Sequence, residues 1–183
     1  RIISMLMGVG TTLALHGILQ YVMKVPTPAS WTDAAESFKG TRSFSILGSP
    51  NILGSLMVLF IPIALALLLQ KNRGFNQRVL SFFAAGAMGL CLLFTGSRGA
   101  WMGMAAALLI FCICINPRWL LLLAAAGSSV MLIPSVAMRI TYMLSPQYVV
   151  SSMTGGRFKR YEIGFMMFME SKWTGVGLGH FGG

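Results

Sequence analysis

Five continuous apolar runs constrain this chain more than any other feature. They extend from Ile2 to Met23, Asn51 to Gln70, Val79 to Thr95, Ala100 to Ile115, and Trp119 to about Val136. Each holds roughly 16–22 residues, near what a hydrocarbon core of about 30 Å demands of a spanning helix. The runs are continuous rather than alternating, so they read as helices and not as barrel strands. With 56% hydrophobic and 10% charged residues and a mean hydropathy of +0.75, lipid rather than a large buried core solvates the apolar surface. The expected fold is all-α: a polytopic transmembrane helix bundle of about five spans over residues 1–136. Residues 24–50 form an extracytoplasmic loop within it. Residues 137–183 read as the start of a large extracytoplasmic loop, partly helical and amphipathic.

The net charge of +10 does not point to nucleic acid, because the basic residues sit between spans. Lipid headgroups, phosphate-bearing lipids and topology signals fit better. Among the short loops, Lys71, Arg73, Arg78 and Arg118 fall on one side and Arg98 alone on the other. The richer side is expected to be cytoplasmic, which puts Arg98 outside. Counting every Lys and Arg would reverse that orientation, nine against five, but long segments translocate largely regardless of charge. The acidic residues Asp33, Glu36, Glu162 and Glu170 all fall in the two long outer connections. Cys91, Cys112 and Cys114 lie inside apolar runs and read as small buried thiols; Cys112 and Cys114 point to different sides of a helix, so no shared metal is expected. Arg1 opens the chain without an initiator Met and Gly182-Gly183 closes it, which reads as an excerpt from a longer protein.

The stretch from Arg157 to Lys172 places Phe158, Tyr161, Phe165 and Phe168 on one helical stripe behind basic residues. It reads as an amphipathic helix lying in the outer interface rather than a sixth span. Trp101 and Trp119 sit near opposite ends of the fourth run, as interfacial aromatics do.

The third and fourth runs are separated only by Thr95-Gly96-Ser97-Arg98-Gly99-Ala100-Trp101. A guanidinium held that close to hydrocarbon is expensive to place and invites a functional reading. Gly96 and Gly99 let the chain turn tightly, and Arg98 sits beside the first turn of a helix whose free N–H groups also favour an anion. One reading is a diphosphate clamp supported by Ser97 and Gly99; the other is an arginine that snorkels to headgroups. Arg157, after Gly155-Gly156, is a second candidate arm of the same anion site, with attraction to anionic lipid as its bland alternative. Arg42, ahead of Ser49-Pro50-Asn51, is a third candidate contact, and Asn51 is expected near a helix cap position. Arginine's planar fork suits phosphate oxygens, so two such residues would suffice to hold a diphosphate without a metal.

Gly175-Val176-Gly177-Leu178-Gly179-His180-Phe181 superficially matches a dinucleotide loop, but no strand precedes it, so a turned outer segment is expected. His180 has the chemistry of a proton-transfer group and no visible partner. His16 and Gln20 share one face of the first run and are read as hydrogen-bonding between helices, with a proton relay as the alternative.

Taken in order, these pieces resemble the O-antigen ligase and O-antigen polymerase family of bacterial membrane glycosyltransferases. Thr95 to Trp101 is similar to its arginine motif. Arg42 through Pro50-Asn51 is similar to its segment ahead of a preceding span, Gly156-Arg157 with Tyr161 to its second arginine region, and Gly175 to Phe181 to its glycine-rich stretch. Trp173-Thr174 departs from the pattern, where a proline and an apolar residue commonly sit. The resemblance implies a metal-independent and cofactor-free enzyme of the cytoplasmic (inner) membrane, facing the periplasm or outside. It would move glycan from an undecaprenyl-diphosphate-linked oligosaccharide to a glycan or lipid A core acceptor. It implies diphosphate-binding roles for Arg98 and Arg157, and places the catalytic histidine beyond residue 183, so no catalytic residue is assigned here. A transporter or flippase for an anionic lipid or solute is the competing reading, using the same arginines as a vestibule.

Overall fold

The computed structural model describes residues 2–28, 41–154 and 157–177. Among these residues eight helices follow one another: α1 (Ile2–Val22), α2 (Pro50–Leu69), α3 (Phe75–Thr95), α4 (Arg98–Ile115), α5 (Trp119–Val130), α6 (Pro134–Met143), α7 (Pro146–Thr154) and α8 (Arg157–Glu170). A 3-10 turn, Ser45–Leu47, precedes α2. The chain divides into two compact units, Arg1–Thr32 with Phe38–Ala137, and Asp33–Ser37 with Met138–Gly183. The all-helical expectation holds among the described residues.

The first four helices are long and apolar enough to cross a membrane. The fifth expected span is not one helix. α5 holds 12 residues, about 18 Å at 1.5 Å per residue, short of the roughly 30 Å a hydrocarbon core requires. Pro134 accounts for the break: it has no N–H to donate, and its ring disfavours helical backbone at the residue before it. α6 begins at that proline.

In the first unit α2 and α3 pack along their length, α1 lies against α3, and α4 lies against α2. Met7, Leu53, Met57, Phe60, Met88 and Cys91 are buried in the seam. Small residues let the backbones close up. A methyl group on Gly54 would meet the Ala100 Cβ at 2.8 Å, so α2 and α4 touch almost backbone to backbone there. The outward faces carry Leu59, Phe83, Ile110 and Leu121, all exposed, as a lipid-solvated bundle requires. Cys91 and Cys112 are buried, but Cys114 is exposed, which corrects the expectation of three buried thiols. Two residues along a helix turn the chain by about 200°, so Cys112 and Cys114 cannot share a face.

The helix ends are closed locally. Lys24 takes the left-handed conformation at φ 52 and ends α1 with a paired turn, Lys24 N–H to Tyr21 O at 3.1 Å and Val25 N–H to Gln20 O at 3.1 Å. At the other end of the bundle, Arg78 donates through Nη2 to the Gln70 and Lys71 carbonyls at 3.1 and 2.8 Å. Arg78, in the first turn of α3, thus caps the end of α2 with a cation, as the dipole of α2 favours.

In the second unit α7 and α8 pack together. The expected amphipathic helix forms as α8. Phe158, Tyr161, Phe165 and Phe168 are all exposed on it, and Lys159 pairs with Glu162 at 2.8 Å one turn on. Gly175 and Gly177 take positive φ (67° and 85°), so the start of the glycine-rich stretch is turned backbone.

Candidate functional site

The α3–α4 turn is set by one glycine and a chain of side-chain bonds. Gly96 is left-handed, φ 59 and ψ 22, and donates its N–H to the Leu93 carbonyl. That geometry ends α3 and lets α4 begin two residues later. Ser97 is the N-cap of α4; its Oγ accepts from the Ala100 N–H at 3.5 Å and donates to Asn51 Oδ1 at 2.9 Å. Arg98 is the first helical residue and half-buried, and Gly99 beside it is exposed.

The last carbonyls of α3 would otherwise lack partners. Leu92 O accepts from the Thr95 hydroxyl at 2.7 Å and from the Trp101 indole at 3.0 Å. Phe94 O accepts from Ser43 N–H at 3.0 Å, and Thr95 O from Arg42 Nε at 2.9 Å. Arg42 is buried, 7% exposed, and its Nη2 also reaches Asn51 Oδ1 at 3.5 Å. A cation against a helix C-terminus is favourably placed.

The segment carrying Arg42 is in turn held by α1. Gln20 Oε1 accepts from the Ser45 and Phe44 amides at 2.7 and 3.2 Å, and Gln20 Nε2 donates to Ser45 O at 3.2 Å. His16 Nδ1 bonds Ser45 Oγ at 3.0 Å, and Ser43 Oγ donates to Gly17 O at 2.6 Å. Ser45 sits at φ 52, a left-handed conformation that costs a non-glycine residue about 1–2 kcal/mol; these bonds offset it. Tyr21 and Phe94 stack nearby, ring centroids 3.9 Å apart. The expected bonding role of His16 and Gln20 is present, but directed at the segment before α2 rather than at another long helix: Gln20 meets its backbone and His16 the Ser45 hydroxyl.

The structure therefore brings Arg42, Asn51, Ser97 and Arg98 to one end of the bundle. Asn51 is not a cap. Pro50 occupies the first helical position, which makes Ser49 the N-cap and Asn51 the second residue of α2. Its amide instead joins α2 to the α3–α4 turn. The proline preceding Asn51 was the signal for that register. The Thr95 and Phe94 carbonyls had no signal, because backbone acceptors are invisible in side-chain patterns. Arg157 opens α8 in the second unit. Gly155-Gly156, Gly179 and His180, and the acidic Asp33 and Glu36, lie outside the described residues.

Neither a curated protein nor a solved structure matches the chain. A family model does: O-antigen ligase (Wzy_C) matches residues 83–182, which takes in the last turns of α3, the Ser97-Arg98 turn, α4, and everything through α8. With more than half its length matched over the very turn that carries Arg98, and four membrane-length helices around it, this chain belongs to the O-antigen ligase family of membrane glycan-transfer proteins.

Proposed function

We propose that the chain takes part in transferring glycan from an undecaprenyl-diphosphate carrier to an acceptor at the outer face of the bacterial cytoplasmic membrane. Arg98 binds the carrier's diphosphate. The observation that carries this reading is its position: the first residue of an 18-residue apolar helix, on a turn fixed by Ser97, Asn51 and Arg42. The first-turn amides of α4 add their partial positive charge to the guanidinium. As the glycosyl bond breaks, charge grows on the departing diphosphate, and a fixed guanidinium stabilises that charge more than it stabilises the ground state. Arg157, at the head of α8, is also assigned a diphosphate-binding role, on the resemblance alone. Arg42 is assigned a holding role, since its Nε serves the Thr95 carbonyl and its Nη2 serves Asn51. The outward orientation of Arg98 rests on the basic short loops at the opposite end.

The test is glycan transfer by purified full-length protein, supplied with undecaprenyl-diphosphate glycan and acceptor in the presence of chelator. Arg98→Ala is expected to lose transfer while membrane insertion and thermal unfolding stay as in the parent. Arg98→Lys keeps the charge but not the fork, and should recover only part of the rate. Unchanged transfer by Arg98→Ala would falsify the assignment.

A further inference from the structure

A second feature lies at the end of the first unit opposite the Arg98 turn. Between the N-terminal halves of α1 and α3 and the end of α2 is a crevice of about 490 Å³, within the size range of small-molecule sites. Met7, Leu67, Leu80 and Ala84 line it. Three of its four hydroxyls are turned to their own helices: Thr11 to Met7 O, Thr12 to Gly8 O and Ser81 to Gln77 O, at 2.7, 2.9 and 2.9 Å; Ser4 and Gln77 are the other uncharged polar side chains in the lining. The interior thus presents mainly carbon. Arg73 stands at the rim. Its Nε donates to Gln70 Oε1 at 3.1 Å, and no other acceptor engages it among the described residues. Lys71 lies in the same loop and Arg78 in the first turn of α3, and no Asp or Glu occurs anywhere between residues 37 and 161. An apolar slot with a cationic rim and no carboxylate nearby matches one chemistry, an acyl chain joined to a phosphate.

We infer that this crevice binds one anionic phospholipid, with an acyl chain between α1 and α3 and its phosphate on the Arg73 guanidinium. The site belongs to the leaflet opposite Arg98 and is independent of the carrier-binding site. Uncharged-headgroup competition is weak because a zwitterionic lipid brings its own cation to the basic rim. Gly8 lines the slot, and a Cβ there meets nothing within 4 Å. A larger residue at Gly8 therefore fills the space without pushing the helices apart.

Native mass spectrometry of the full-length protein, released from nanodiscs of equal phosphatidylglycerol and phosphatidylcholine, reads the site. The parent should retain one phosphatidylglycerol in preference to phosphatidylcholine. Arg73→Gln should cut that preference about tenfold. Gly8→Phe should abolish retention of both lipids at unchanged helix content, and Thr12→Trp should do the same if Gly8→Phe does not fold. Equal retention of the two lipids by the parent overturns the inference. So does retention that survives both filling substitutions, or a change from dimer to monomer on filling, which would make a second copy the occupant.

Discussion

Ser97 donates its hydroxyl proton to the Asn51 side chain at 2.9 Å, across 46 residues of sequence, and the same oxygen accepts from Arg42 Nη2 at 3.5 Å. One amide oxygen therefore ties the start of α2, the segment before it, and the turn that presents Arg98. Asn51→Leu removes that acceptor from a buried serine and a buried arginine. It should lower stability by about 1–3 kcal/mol, measured as thermal unfolding in detergent. Asn51→Asp keeps an acceptor and adds a charge opposite Arg42, and should retain most of the stability. If transfer depends on how Arg98 is aimed, Asn51→Leu also loses activity beyond what its stability explains.

Arg42 gives a separable prediction. Arg42→Ala leaves the Thr95 carbonyl without the guanidinium that meets it at 2.9 Å. Unfolding should occur about 1.5–3 kcal/mol more easily, the usual cost of a lost charge-assisted bond. Arg42→Lys keeps the charge near the end of α3 and should restore part of the loss. Were Arg42 a direct diphosphate contact, carrier affinity would fall in both variants with stability unmoved.

The contact of α2 with α4 can be tested by exchange. Gly54→Ala forces its new methyl to 2.8 Å from the Ala100 Cβ and should cost about 1–3 kcal/mol by overpacking. Ala100→Gly alone should cost about 0.5–1 kcal/mol through helix propensity. The double variant should be more stable than the sum of the two, with a coupling of at least about 0.5 kcal/mol. Strict additivity would show that the two helices do not touch at this point.

The aromatic face of α8 makes its own prediction. Phe165 is 63% exposed and sits on the stripe with Phe158, Tyr161 and Phe168. In liposomes containing brominated lipid, Phe165→Trp should add fluorescence that the bromine quenches, while Lys159→Trp should add fluorescence that it does not. Equal quenching at both positions would remove the interfacial orientation of this helix.

The four long spans were legible because a 20-residue apolar run has one stable solution in lipid, and their observed ends differ from the sequence reading by a few residues at most. The Arg98 turn was legible for the complementary reason: a glycine-flanked charge parts two hydrocarbon runs with almost no loop between them. The fifth run misled because apolarity continues through Pro134, and average hydropathy does not register a missing N–H. Asn51 misled because a cap and an interhelical acceptor use the same side chain; the choice depends on which helix lies alongside. The bond of Arg42 to the Thr95 carbonyl was equally hidden, since a guanidinium gives no sign in sequence of which backbone acceptor it meets.

The family match starts at residue 83, whereas what holds the Arg98 turn comes from Gln20, Arg42 and Asn51. Trimming the protein to the recognised stretch would keep the arginine and discard its mounting. A loss of activity in such a piece would then report missing scaffolding upstream and say nothing about the chemistry of the stretch that was kept.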